Sequence, residues 1–260
     1  MSLDRVLYRF DDLMSKRQFS EAEDLLLYWK KELDDGHGHN NLFKILNELV
    51  GYYRKVANPT KGIIAIEELN RFIISNHLEQ DFSASTGYIN IATALSSFNK
   101  YQESINFFKK AKEIYEKHFD IYKLISENEN HINDEFIEKY ASLCNNMATT
   151  ILNLGDLDTS IYYNKKALEY NTYLKDGDLN SAITCLNLAN VIEKKEGLEK
   201  GEEEIMKLLN DTKDYLEKHN TEETQHYVYV MQKCVPAFDY YGFFYYANVL
   251  RKRIKDINSK

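Results

Sequence analysis

One phrase of this sequence occurs three times. The octapeptide CNNMATTI, from Cys144 to Ile151, is followed 41 residues later by CLNLANVI, which begins at Cys185. A third copy, YINIATAL, begins upstream at Tyr88. Self-similarity at a period of tens of residues is typical of repeat architectures, in which each unit buries its apolar face against the neighbouring copies. The sequence therefore predicts a stack of repeats.

Each copy of the phrase opens a predicted helical hairpin. Apolar residues follow at helical spacing on both sides of a break, which falls at Asn99-Lys100, Gly155-Asp156 or Glu196-Gly197. Small residues stand at matched positions of the second helices, and we expect them to let the two helices of a hairpin approach closely. These residues are Ser104, Ser160 and Gly201.

The segment NLGDLDTSIYYNKKALEY, from Asn153 to Tyr170, resembles the helix-turn-helix signature of the tetratricopeptide repeat family. The resemblance is clearest over residues 84–218. The consensus Trp is replaced by Tyr88, Cys144 and Cys185, the closing Pro is missing, and the period of 41 exceeds the usual value of roughly 34. Repeats of this long pitch resemble those of peptide-sensing bacterial regulators, kinesin light chains and polarity adaptors.

The resemblance implies an all-α, right-handed superhelical solenoid of about six helix-turn-helix repeats, in a single domain over residues 1–260. Atypical terminal hairpins are predicted at 3–34 and 222–257, and a further hairpin at 40–76. Pro236 is expected to kink or end the first helix of the last hairpin. The spacing from Asn90 to Asn146 exceeds the 41-residue period by 15 residues, and the surplus lies around 118–134.

Net charge, the lack of long apolar runs and the cysteine positions limit the functions that this chain can have. The net charge of −8 argues against nucleic-acid binding by this chain, and no apolar run is long enough to span a membrane. The first residues lack the apolar stretch of a signal peptide. Cys144 and Cys185 occupy equivalent repeat positions, which predicts buried, reduced thiols. We therefore expect a cytoplasmic protein.

Polar residues form a stripe at i, i+3 and i+7 on the first helix of each clear repeat. Because the neighbouring apolar positions serve the core, the stripes are predicted to face a concave groove. The alternative is that they are solvated or brace neighbouring repeats. The stripe residues are Asn90, Thr93 and Ser97; Asn146, Thr149 and Asn153, with Asn145 adjoining; and Asn187, Asn190 and Lys194.

An amide offers donors and an acceptor, which suits the backbone of an extended peptide. In the long-pitch families an Asn of the first helix is used in this way, and the resemblance implies the same for Asn90, Asn146 and Asn187. Lys194 and Arg54 are the only basic candidates for the groove. A chaperone-type clamp for a C-terminal carboxylate, which needs several cations, is therefore not favoured.

Aromatic residues are abundant, with 20 Tyr and 13 Phe, and they are densest between Phe238 and Tyr246. Packing of the last hairpin explains such a run, and homodimer contact is the alternative.

The pair His37 and His39 is a weak metal candidate. No catalytic motif is present. The sequence thus predicts a non-catalytic scaffold that binds a protein or peptide partner, in a narrower version a regulatory peptide-sensing module, without metal or cofactor. The alternative is a structural oligomer formed through the aromatic C-terminal hairpin.

Overall fold

A computed structural model describes residues 2–34, 39–128, 131–219 and 224–259. The described residues form thirteen helices and no strand. They group into two compact units, residues 1–118 and 119–260. The helices of unit 1 are α1 (Leu3–Ser15), α2 (Phe19–Asp34), α3 (His39–Lys55), α4 (Pro59–Ser75), α5 (Phe82–Ser97) and α6 (Tyr101–His118). Those of unit 2 are α7 (Ile121–Ser126), α8 (Asp134–Asn153), α9 (Leu157–Asn171), α10 (Asp178–Glu196), α11 (Leu198–Lys218), α12 (Gln225–Tyr240) and α13 (Phe244–Asn258).

Consecutive helices pack as hairpins in both units. The pairs are α1 with α2, α3 with α4 and α5 with α6 in unit 1, and α8 with α9, α10 with α11 and α12 with α13 in unit 2. The predicted all-α class and the number of about six hairpins are therefore confirmed. The short helix α7 occupies part of the 15-residue surplus. Pro236 lies inside α12 and does not end it.

The predicted breaks coincide with residues in the left-handed region of backbone space. Asn99 has φ 62°, Gly155 has φ 87° and Gly197 has φ 81°. A left-handed residue ends a helix because its backbone turns the chain away from the helix axis, and glycine adopts this conformation without a Cβ clash. After Gly155, the side chain of Asp156 accepts a hydrogen bond from the backbone N–H of Thr159 and so caps α9.

The matched small residues lie where the helices of a hairpin cross. Ser104 Oγ donates to the carbonyl oxygen of Ala92 at 2.7 Å, and Ser160 Oγ donates to that of Ala148 at 2.8 Å. At the third equivalent position, a Cβ on Gly201 would lie 3.0 Å from Ile192 Cγ2. The prediction of close approach is confirmed, and the two serines add a buried hydrogen bond between the helices.

The three cysteines lie in the apolar core of unit 2. Cys144, Cys185 and Cys234 are all buried, and none forms a disulfide. Burial raises the pKa of the Cys185 thiol to about 12, and it does the same for Cys234. A thiol that stays protonated near neutral pH is a poor nucleophile. The predicted burial of Cys144 and Cys185 is therefore confirmed.

Candidate functional site

Unit 1 contains an open groove with a volume of about 870 Å³. Its walls come from α1, α3, the C-terminal end of α4 and the first half of α5. Helices α1, α3 and α5 are the first helices of the three hairpins. Of the polar stripe predicted on α5, Asn90 lines this groove.

The floor of the groove is apolar. The rings of Phe43 and Phe72 lie 6.0 Å apart between centroids, and Leu7 and Leu78 line the groove with them. Gly87 of α5 makes room for this floor, since a Cβ there would lie 3.2 Å from the ring of Phe43. The four apolar side chains are half-buried, so each offers further apolar area to a ligand.

An amide pair links α3 to α5 along the groove. Asn90 Nδ2 donates to Asn47 Oδ1 at 2.9 Å, and Asn47 Nδ2 donates to the carbonyl oxygen of Phe43 at 2.8 Å. Asn47 is 8 % exposed, whereas Asn90 is half-buried. The pair braces neighbouring hairpins, and Asn90 retains a carbonyl oxygen and one N–H that it does not use in the pair.

Three charged residues line the groove. Glu48 of α3 is half-buried, and burial, with a smaller contribution from the nearby Asp11, raises the pKa of its carboxyl group. Asp81 accepts a hydrogen bond from Ser83 N at 2.8 Å, which caps α5, and hydrogen bonds from the side chain and then the backbone of Ser83 lower the pKa of Asp81. Lys44 is exposed. Carboxylates therefore outnumber cations along this groove.

The same kind of amide pair occurs in unit 2. Asn187 Nδ2 of α10 donates to Asn145 Oδ1 of α8 at 3.0 Å. The acceptor is Asn145 and not Asn146, which is half-buried beside it. A small cleft next to the pair also includes Asn171, whose Oδ1 is buried and has no hydrogen-bond partner among the described residues. With a volume of about 40 Å³, this cleft holds little more than solvent.

The remaining stripe residues mainly bond to their own helices. Thr93, Ser97, Thr149 and Asn153 donate to backbone carbonyl oxygens three or four residues earlier in the same helix. Asn190 and Lys194 are exposed on α10. Of the ten predicted residues, Asn90 lines the groove of unit 1, and the peptide-binding role of all ten stays a prediction.

Sequence reasoning missed Asn47, Glu48 and Phe43. A signal for Asn47 was present, because it precedes Asn90 by 43 residues and Asn145 precedes Asn187 by 42. The hairpin at 40–76 lies outside the clear repeats over residues 84–218, so their 41-residue period does not reveal this correspondence. No sequence signal distinguishes Glu48 from the other acidic residues of the chain.

The remaining features that the sequence suggested give less support for a functional site. No group of three or more metal-ligating side chains occurs among the described residues. His37 lies outside those residues. No described helix is both long and apolar enough to cross a membrane. In the aromatic run, Phe238 and Tyr246 are in the core of unit 2, while Tyr240, Phe244 and Tyr245 are exposed.

The amide pair of unit 2 predicts a stability effect. Asn187→Ala should lower the free energy of unfolding by about 1 kcal/mol, because the half-buried Asn145 Oδ1 loses its donor. The matched control is Asn190→Ala, one turn along α10 and exposed, which should change it by less than about 0.5 kcal/mol. Urea unfolding of the three proteins measures both. Equal stability of the two variants would show that the pair does not brace the hairpins.

Comparisons with known proteins agree with this fold. Residues 86–132 match the tetratricopeptide repeat family. The crystal structure of BtubC (BKLC) from P. vanneervenii superimposes with a TM-score of 0.68 and 16 % identity, over 84 % of this chain and 81 % of that one. The chain therefore has a helical-repeat fold of the tetratricopeptide type.

Two further solved structures share the fold. A putative kinesin light chain from Podosopora anserina with nearly identical TPR-like repeats gives a TM-score of 0.56 at 12 % identity, over 86 % of this chain and 97 % of that one. MamA gives 0.52 at 16 % identity, over 82 % of this chain and 97 % of that one. A search of curated protein sequences found no significant match.

Proposed function

We propose that this chain is a non-catalytic scaffold that binds a peptide or a partner helix in the groove of unit 1. Repeat folds of this type commonly serve protein–protein interaction. The observation that carries the proposal is the groove of about 870 Å³, with its aromatic floor and the amide pair along it. Its volume lies in the range of typical ligand sites, roughly 300–1,000 Å³.

The groove supplies two kinds of contact. Phe43, Phe72 and their apolar neighbours offer area that a ligand side chain removes from water, at about 25 cal/mol per Å². Asn90, through its unused carbonyl oxygen and N–H, offers hydrogen bonds to a main chain. Asn47 holds Asn90 in place, so the amide is oriented before the ligand arrives. Such preorganisation lowers the entropy lost on binding.

The proposal extends to the polar stripes of unit 2. Thr149, Asn153, Asn190 and Lys194 are exposed on the first helices α8 and α10, and Asn146 is half-buried beside them. They would contact a ligand by the same chemistry. A regulatory, peptide-sensing role is the narrower version of this proposal, since a groove with its polar groups already oriented suits a short segment.

Filling the groove tests the proposal. Thr86 of α5 is exposed and lines the groove, so Thr86→Trp should occupy ligand space without disturbing the core. Random 15-residue peptides displayed on phage are selected on the full chain. The enriched peptides should bind Thr86→Trp at least about tenfold more weakly, which corresponds to roughly 1.4 kcal/mol.

The control is Thr60→Trp, which places the same side chain at an exposed position of α4 outside the groove. It should bind the enriched peptides like the wild type. Peptides that bind all three proteins equally, or a selection without enrichment, would refute the groove as the site.

Self-association is the second candidate function. Three aromatic side chains, Tyr240, Phe244 and Tyr245, are exposed at the last hairpin, and Tyr245 is 84 % exposed. Exposed aromatics favour interfaces because they bring large area at low entropic cost. Sedimentation over a wide concentration range should then show a dimer that Phe244→Ser with Tyr245→Ser dissociates. A monomeric mass throughout would exclude this candidate.

A further inference from the structure

We infer that the occupant of the groove carries a basic side chain, Lys or Arg, that pairs with Glu48. This inference rests on the proposed function of unit 1 and names the chemistry of its ligand. Carboxylates outnumber cations along the groove, and no cation among the described residues pairs with Glu48.

Glu48 differs from Glu23 and Glu68, two other partly buried carboxylates of unit 1. Glu23 accepts hydrogen bonds from Tyr53 Oη at 2.7 Å and Lys61 Nζ at 2.5 Å, and Glu68 pairs with Lys30 at 2.5 Å. Glu48 has neither a hydrogen bond nor an ion pair with any described residue. An ionised carboxylate that is partly removed from water without a partner is unfavourable. The folded chain therefore leaves this carboxylate to be compensated by another molecule.

The groups that face Glu48 do not neutralise it. Helix α1 contributes Asp11, which adds negative charge and raises the pKa of Glu48. Lys44 lies one turn earlier on α3 but is exposed and makes no ion pair with it. Asp81, before α5, adds a second carboxylate to the groove lining, and Phe72 of α4 and Asn76 just after α4 are neutral. The groove is thus complementary to a cation and repels an acidic segment.

The ligand is accordingly a segment that combines a basic side chain with apolar ones. The apolar side chains pack on Phe43 and Phe72, and the ammonium or guanidinium group lies against Glu48. Charge-assisted hydrogen bonds of this kind are the strong polar anchors of interfaces. Because Glu48 is half-buried in an open groove, the pair is only partly screened by solvent.

The phage selection separates this inference from the proposed function. Parallel selections use the wild type, Glu48→Gln and the control Glu32→Gln, which removes the same charge from an exposed position of α2 outside the groove. Peptides that depend on the groove, judged by weaker binding to Thr86→Trp, should be enriched in Lys or Arg on the wild type and on Glu32→Gln. The enrichment should disappear on Glu48→Gln.

A synthetic peptide from the wild-type pool gives the magnitude. Replacing its Lys or Arg with Gln should weaken binding to the wild type about tenfold or more, and should change binding to Glu48→Gln by less than about twofold. Lowering the pH should weaken binding to the wild type, since burial raises the pKa of Glu48 and its carboxylate is therefore protonated at a higher pH than an ordinary glutamate, and binding to Glu48→Gln should not show this loss. Glu48→Gln should unfold no earlier than the wild type, because it removes an unpaired charge.

Three outcomes are distinguishable. Loss of basic enrichment on Glu48→Gln alone supports the inference. Groove-dependent peptides without basic residues, or with a basic preference that survives Glu48→Gln, overturn the inference and leave the proposed function standing. Peptides that bind independently of the groove refute the proposed function, and the inference fails with it.

Discussion

Gly177→Ala should destabilise the chain by about 3 kcal/mol, even though it adds a single methyl group. Gly177 is buried where the chain enters α10, and its φ of −77° is open to any residue, so the effect comes from space alone. An added Cβ would overlap the backbone carbonyl oxygen of Asn171 and lie 2.9 Å from its carbonyl carbon. Backbone atoms cannot rotate away, so the turn from α9 to α10 must shift.

The control is Gly51→Ala in the interior of α3. A Cβ on Gly51 meets no atom within 4 Å. Alanine is the better helix former, so this change should stabilise the chain by about 0.5–1 kcal/mol. Urea unfolding followed by circular dichroism measures both variants. If Gly177→Ala unfolds at the same urea concentration as the wild type, the close approach of this turn is wrong.

Ser160→Leu should lower the free energy of unfolding by about 3 kcal/mol, because it forces a large side chain into a fully buried helix crossing. Ser160 is 0 % exposed, and its hydroxyl reaches the Ala148 carbonyl oxygen across the hairpin of α8 and α9. A leucine there displaces α9 from α8 and removes the hydrogen bond between them. Thermal and urea unfolding both report the loss.

Ser160→Ala separates the two contributions. Alanine is as small as serine, so the helices can still approach closely, but the hydrogen bond from the hydroxyl is lost. The Ala148 carbonyl oxygen still lies within helix α8, where the backbone supplies a hydrogen-bond donor. The expected loss is about 1 kcal/mol, the net value of an ordinary hydrogen bond. If Ser160→Ala were as destabilising as Ser160→Leu, the hydroxyl and not the small size would be the reason for a serine at this crossing.

Both substitutions test why each repeat has a small residue where its two helices cross. Position 160 corresponds to Ser104 and Gly201 in the neighbouring repeats, and the three residues share small size but not a hydroxyl. At Gly201 the hydrogen bond is absent and Ile192 lies close. Small size is therefore the shared requirement, and we expect it to have the larger effect on stability.

Much of the fold could be predicted from the sequence because the relevant signals are local. The hairpin breaks follow from single residues such as Gly155 and Gly197, and the helix faces follow from apolar spacing. The burial of Cys144 and Cys185 followed from their equivalent places in two copies of one phrase.

The candidate site was predicted less well. The stripe residue Asn90 does line the groove. The alignment of repeats makes Asn187 equivalent to Asn146, whereas the hydrogen bond of Asn187 reaches Asn145. Alignment identifies residues that occupy the same place in different repeats. A contact between neighbouring helices joins residues on facing sides, which occupy different places, so the two correspondences differ by a residue or two.

The sequence by itself determined the class of structure, since its 41-residue period, helix stops and small crossing residues all act within or between adjacent helices. The tertiary structure alone decided what the groove of unit 1 offers. Glu48, Phe43 and Phe72 come from α3 and α4, and they face one space with Asn90 of α5 because three hairpins pack side by side. Whether a carboxylate such as Glu48 has a hydrogen-bond or ion-pair partner depends on distances between side chains of different helices. The spacing of residues along the chain does not specify these distances.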